Sequence, residues 1–523
     1  LRTLLPELTG KPLDDKTTEM IGRARTLNAS GQFNGLLSAF DASVLLKTHQ
    51  GAVNGRFSLH YAEANGRRFN GMVTTRGFNC GELLGNDKLG RITMTAFMTG
   101  HAAKGKLTAN VDGRIPHLYF NGYHYDSVRL NGRFDNRRFE GYAGCADNNL
   151  DFDFNGSVDF NDEVPRYDFD LELKRADLHA LNFNRRDTVS ILSASVAARA
   201  SGRSIDDMNG TVDVNGVRYI SPEDTVSVGG ISLIGENTAG NKFISLSSDI
   251  VEATFRSRLS YRTILEYIEE GLFSYLPSLN DDTGHVHQHM TDEAGSIDRY
   301  SLLSVNFKHT DGVTQAIMPG LQIADGTTLS FMFNPDNDRF TLKLLSDYIE
   351  RNHMMATKIN LNANNSYDSL ALYLRAEDLY VKSFHMPNLS VQAGAKENRI
   401  SLSSGFNDKQ NNMSALIGAN AVLRRDEEGR RSVMVRMRPS NIRRNNKIWY
   451  ITSRGIDYSP DRIEVDSFAI RHGQQELLLD GVASRDRNDS IVLSMHNFDL
   501  TPLGQAIANM GCLLYTSPSP RDS

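Results

Sequence analysis

Phe169-Asp170-Leu171-Glu172-Leu173-Lys174 alternates apolar and charged residues without a break. Successive side chains of an extended chain point to opposite faces, so Phe169, Leu171 and Leu173 share one face and the three charges share the other. A period of two with one oily and one wet face is the pattern of an amphipathic β-strand. Leu150-Asp-Phe-Asp-Phe154 and Val158-Asp-Phe160 repeat it. From Asn28 to about Ile250 the chain reads as strands of about 5–9 residues. Asn121-Gly122, Asn131-Gly132, Asn155-Gly156, Asn209-Gly210 and Asn215-Gly216 tolerate positive φ and are expected to be the hairpin turns between them. The predicted class is all-β and antiparallel, with a few short helices.

Two phrases recur. Tyr123-His-Tyr-Asp-Ser-Val-Arg-Leu130 with Phe139-Glu-Gly-Tyr-Ala143 matches Ile463-Glu-Val-Asp-Ser-Phe-Ala-Ile470 with Leu479-Asp-Gly-Val-Ala483 at a constant offset. This predicts one strand-turn-strand unit written twice, as in chains built by stacking. The second phrase is an amphipathic strand closing on Asp-Leu, at Asp177-Leu178, Asp378-Leu379 and Asp499-Leu500. An aspartate there suits the cap of a turn or short helix.

The pattern breaks between about Arg256 and Tyr300. Tyr261, Ile264, Leu265, Ile268 and Leu272 lie at helical spacing, and Pro277 ends that helix before a polar loop. The expected organisation is a helical entry over 1–27, β-rich repeats over 28–255, helix and loop over 256–296, and β-rich repeats over 297–511. Residues 512–523, Cys512-Leu-Leu-Tyr-Thr-Ser-Pro-Ser-Pro-Arg-Asp-Ser523, read as translated sequencing adapter; a genuine Ser/Pro-rich tail is the other reading. Leu1 is not an initiator methionine, so the chain is expected to be an internal fragment.

Hydrophobic residues make up 40% of the 523, below the roughly 45–50% of ordinary globular chains, which argues against a thick helical core. A net charge of −6 with mixed signs gives no global indication of nucleic acid. Cys80, Cys145 and Cys512 form no C-x-x-C pair, so neither a structural zinc site nor a disulfide framework is indicated. No apolar run reaches the roughly 18 residues of a membrane-spanning helix.

Few residues offer chemistry. His285, His287 and His289 have metal-like spacing on an extended segment, but in an Asp/Gly/Thr-rich loop a solvated linker is the competing reading, and no cofactor is expected. Arg424 to Lys447 carries nine Lys/Arg and three acids, a stripe suited to phosphate head groups or nucleic acid, or to a solvated strand face. No P-loop, G-x-G-x-x-G, G-x-S-x-G or H-E-x-x-H occurs, so no enzyme is expected. What remains is the apolar strand face, which must pack on a second sheet, close into a barrel, or line a trough.

Phe78-Asn-Cys-Gly-Glu-Leu-Leu-Gly-Asn-Asp-Lys-Leu-Gly-Arg-Ile-Thr-Met94, the Tyr123–Gly132 phrase and Ala176-Asp-Leu-His-Ala-Leu-Asn-Phe183 resemble the TamB family. These are translocation and assembly module subunits of the AsmA-like superfamily, with bridge-like lipid-transfer architecture. The resemblance, over about 1–511, implies a long sheet curled into an open groove, taco- or solenoid-like. It further implies a periplasmic body, an inner-membrane anchor through an N-terminal helix outside this chain, and an outer-membrane barrel assembly partner met by a C-terminal domain also outside it. The implied function is outer-membrane biogenesis, as a phospholipid conduit or in assembly of outer-membrane proteins, without nucleic acid. About 35–45 strands, roughly 4.8 Å apart, would extend such a groove by about 170–215 Å. Phe152, Phe154, Phe169, Leu171, Leu173, Leu372, Leu374, Ile491, Leu493 and Met495 are the representative groove-lining residues, facing acyl chains. A structural or adhesive β-repeat protein with fully packed apolar faces is the alternative.

Overall fold

A computed structural model describes residues 19, 22–24 and 27–497, apart from 37, 63–65, 104–105, 223–224, 239, 281–299, 311–313, 315–317, 319, 335–338, 366–368, 383 and 426–428. The helical entry, the three histidines of 285–289, Asp499-Leu500 and the 512–523 tail therefore lie outside the described residues, wholly or almost so. The described residues are 73% strand and 7% helix, an all-β composition. The chain divides into two compact units, Leu1–Ile250 and Val251–Ser523.

Among the described residues, the first unit holds fourteen strands, β1 (Leu27–Leu36) to β14 (Asn241–Ser248), and the second seventeen, β15 (Val251–Ser257) to β31 (Ile491–His496). Described pairings are antiparallel throughout, and in the first unit each strand pairs with the next in sequence. The described strands are longer than expected. The two at Leu89–Ala103 (β5) and Lys106–Phe120 (β6) reach 15 residues.

The reason is that most of the Asn-Gly pairs are not turns. Of the five pairs named above, Asn121-Gly122 alone closes a hairpin, between β6 and β7 (Tyr123–Asp135), with both residues at positive φ. Gly132 lies inside β7, Gly156 inside β9 (Leu150–Asp159), and Gly210 and Gly216 inside β12 (Asn209–Ile220). Gly132, Gly141 and Gly156 are successive cross-strand partners. A Cβ on Gly132 would lie 2.7 Å from the Phe139 ring, and one on Gly156 2.6 Å from Phe169 Cβ. These glycines leave room for aromatic side chains on the sheet, a role of mid-strand glycine that turn statistics do not anticipate.

The repeated phrase does form the same unit twice: β7 with β8 (Arg138–Ala146), and β29 (Arg462–His472) with β30 (Gln475–Ser484). Its Asp-Ser step is a backbone feature. Ser127 and Ser467 sit at φ 58° and 53° inside their strands, and the β29–β30 register shifts between Val465 and Phe468. Such bulges bend a strand and sharpen its twist. Carboxylates hold the N–H groups they free: Asp147 accepts from Asp126 N at 3.2 Å, and Asp480 from Ser467 N at 2.9 Å.

Among the described residues, two short helices lie at strand ends: α1 (Cys80–Leu84) and α2 (Tyr261–Tyr275). Of the helically spaced set, Ile264 is buried while Tyr261 and Leu265 stay exposed. Tyr267 packs 5.6 Å from Phe333. A 3-10 turn, Pro277–Leu279, follows α2, and the preceding Leu276 packs with Ala395 and Leu423 on the second unit's apolar face. The Asp-Leu phrase serves two roles. Asp177 caps a turn by accepting from Ala180 N at 3.0 Å, as expected. Asp378 does not; it lies inside β21 (Leu370–Val381) and takes a hydrogen bond of 2.6 Å with His385 Nε2.

Candidate functional site

The period-two pattern leaves each unit with one continuous apolar face. In the first, direct cross-strand partners run Val73, Ala96, Gly113, Leu130, Ala143, Phe154, Leu171, Val196, Val214 and Ile231. No polar residue interrupts that row over ten strands, a span of about 43 Å at the spacing of neighbouring strands. Phe152 and Leu173 belong to the row on one side of it, and Phe169 to the row on the other. Phe134, Phe139, Phe154 and Phe169 form an aromatic ladder with centroid separations of 5.0, 6.2 and 5.1 Å. Such cross-strand aromatic contacts stiffen a sheet face.

The second unit repeats the arrangement. Phe255, Leu303, Phe331, Leu342, Ala363, Leu372, Ala393, Leu402, Ala419 and Met437 are successive partners, with Leu374 in the adjacent row between Leu361 and Val391. Ile491, Leu493 and Met495 share a face of β31, opposite Gly481, Leu479 and Leu477. Leu493 and Met495 are exposed. The expected lining residues thus fall into three groups: five together on β9 and on β10 (Arg166–Asp177), two on β21, and three on β31.

These faces are not packed shut. Phe152, Phe154, Phe169, Leu171, Leu173, Leu372 and Leu374 are half-buried. The buried members of the two rows are small residues, Ala96, Gly113 and Ala363. A second sheet about 10 Å away would bury the phenylalanines and leucines as well. The largest fully buried apolar side chain is instead Leu181, at 1% exposure, in the loop after β10.

That loop closes one rim of the first face. Leu181 packs with Tyr125, Cys145 and Ala176, against Leu118, Phe152 and Leu173. A reciprocal pair of amides fastens it to the β6–β7 turn, Asn121 Nδ2 donating to Leu181 O at 3.2 Å and Asn182 Nδ2 to Asn121 O at 3.1 Å. Burial pushes the Cys145 thiol up to about 11, with the Asp147 charge adding to it, so the thiol stays protonated in this core.

Polar groups pin the loop's far end. Asn184 Nδ2 donates to Asp187 Oδ2 at 3.0 Å and to Ser190 Oγ at 3.0 Å, and the Tyr219 hydroxyl donates to Asp187 at 3.2 Å. Hydrogen bonds from Arg186 and then Asn184 hold the Asp187 carboxyl down at about 2. A depressed folded-state pKa stabilises above the unfolded value of about 4 and is lost as pH falls toward about 2. Amide exchange across 178–190 is therefore expected to accelerate between those pH values relative to the neighbouring strands, and Asp187→Asn to remove that extra acid sensitivity. An unchanged profile in Asp187→Asn would contradict the assignment.

The basic stripe divides by role. Arg431 Nη2 donates to Leu279 O at 2.9 Å, Arg425 bonds Asn280 O, and Arg438 Nη2 reaches Leu402 O at 2.6 Å. Those arginines hold strands and the α2 extension in place. Arg424 and Arg436 line an open recess of about 930 Å³ with Lys396, Glu397 and Arg399.

Sequence reasoning missed the glycine row and the Phe134–Phe139 part of the ladder. Glycine embedded between alternating apolar residues was the available signal. The molecule is, in class, an all-β protein of antiparallel strands with extended, half-open apolar faces. No protein-family model and no curated protein matches the chain.

Proposed function

We propose that the apolar faces are tracks for acyl chains, and that the chain belongs to a TamB-like body of a Gram-negative envelope working in outer-membrane biogenesis as a phospholipid conduit. The observation carrying this reading is the pair of uninterrupted ten-strand apolar rows whose large side chains remain half-exposed. An acyl chain laid along such a row gains about 0.8 kcal/mol for each methylene it removes from water, while its head group stays at the wet margin. Neighbouring rungs offer chemically similar surfaces, so no position binds much more tightly than the next and a chain can slide. The sequence phrases that resemble the TamB family support the same reading, under which the parent protein would lie in the periplasm with an inner-membrane anchor and an outer-membrane barrel partner.

The test is to purify the chain from a Gram-negative host in a detergent-free buffer, extract it with organic solvent and identify lipids by mass spectrometry. Phospholipid is expected at one or more molecules per chain. Protein that comes out lipid-free, and takes up no phospholipid from vesicles, would sink the proposal.

A further inference from the structure

The tight β6–β7 hairpin gathers three potential ligands on one side. His117 on β6 is the direct cross-strand partner of Asp126 on β7, and His124 lies two residues earlier on the same strand, hence on the same face. His117 Nδ1 is 2.7 Å and His124 Nδ1 3.5 Å from Asp126 Oδ1. The two imidazole rings are 5.2 Å apart, and one ligand atom from each of the three residues lies within 4.8 Å of the others.

We propose that His117, His124 and Asp126 form a binding site for a divalent transition-metal ion, with Zn²⁺ the expected occupant. Two imidazoles and one carboxylate are a donor set that borderline ions favour, whereas Mg²⁺ and Ca²⁺ prefer oxygen ligands. Zn²⁺ takes nitrogen and oxygen ligands at about 2.0–2.2 Å, so the side chains converge by small rotations once the His117–Asp126 hydrogen bond is exchanged for metal. The backbone is already set: Asn121-Gly122 fixes the hairpin register, and Asp147 fixes the bulge beside Asp126. His117 and His124 also line an open recess of about 450 Å³ with Arg91 and Tyr119, leaving room for water or another small ligand to complete the coordination.

The second copy of the repeat serves as an internal comparison. It keeps the aspartate, Asp466, but has Glu464 where the first copy has His124, and places Gly455 opposite Asp466 where the first copy has His117. The ligand set is therefore particular to the first copy and not a by-product of the repeated bulge. Nothing in the proposal depends on the lipid reading.

The experiment is calorimetric titration of the full chain with ZnCl₂, in a His285→Ala/His287→Ala/His289→Ala background that removes the other histidine-rich stretch, with MgCl₂ as the comparison. One Zn²⁺ site and no Mg²⁺ binding are expected. His117→Ala, His124→Ala and the milder Asp126→Asn should each weaken Zn²⁺ binding about tenfold or more. Both histidines are more than half exposed, so the variants should keep the parent's circular dichroism spectrum. Absence of Zn²⁺ binding in the background, or unchanged affinity in the His117→Ala/His124→Ala double variant, would overturn the proposal.

Discussion

Leu171→Arg is expected to leave the first unit folded while abolishing acyl-chain binding along its track. Leu171 sits midway along the ten-strand row, between Phe154 and Val196, and is half-buried. An arginine there can lay its methylenes along the sheet and lift its guanidinium into water. The cost on a half-open face is about 1 kcal/mol, against several kcal/mol where a facing sheet would force an unpaired charge into a core. The charge nevertheless interrupts the apolar row for any ligand lying along it. Thermal melting by circular dichroism reads the first effect, and displacement of a fluorescent fatty acid reads the second. Glu172→Arg, on the exposed wet face, is the matched control and should change neither. Loss of folding in Leu171→Arg would favour a packed sheet, and undiminished fatty-acid binding would remove the track.

Leu181→Ala is expected to cost the first unit about 3 kcal/mol, within the range for deleting a fully buried leucine. For a unit of this size that lowers the melting midpoint by about 6–12 °C. The loss is large because Leu181 is the keystone of a thin core: Tyr125, Cys145 and Ala176 have it as their shared cover. The Asn121–Asn182 amide pair cannot fill the void, since it bonds backbone at the turn and brings no apolar volume. Exposure of Cys145 to thiol reagents should rise in parallel. A midpoint within about 2 °C of the parent would show that the rim loop does not stabilise the sheet as its burial implies.

Particular residues show why some of this was legible in the sequence. The alternation at Phe169–Lys174 specified strand and face because side-chain direction in an extended chain is a local property. Helical spacing likewise located α2, and Pro277 marked its end. The glycines misled, because one residue type serves two purposes. Gly122 relieves a positive φ in a turn, whereas Gly132 and Gly156 make room for Phe139 and Phe169 from neighbouring strands. Sequence spacing alone does not say which neighbour will lie across a glycine. Asp378 misled for the same reason: its local phrase matches that of Asp177, but its partner His385 lies on the following strand.

The histidine cluster lay beyond sequence reading in a different way. His285, His287 and His289 attract attention because they are close in sequence. His117, His124 and Asp126 come together only through antiparallel register, which the Asn121-Gly122 turn sets.

From the sequence by itself, then, came the all-β class, the amphipathic strands, the repeated unit and the position of the helix, all consequences of backbone geometry acting over a few residues. The tertiary structure decided what covers the apolar faces, and where. Burial depends on long-range neighbours, and these place Leu181 over one rim of the first face and, separately, Leu276 against Ala395 and Leu423 of the second unit, while leaving the phenylalanine and leucine rows half in water.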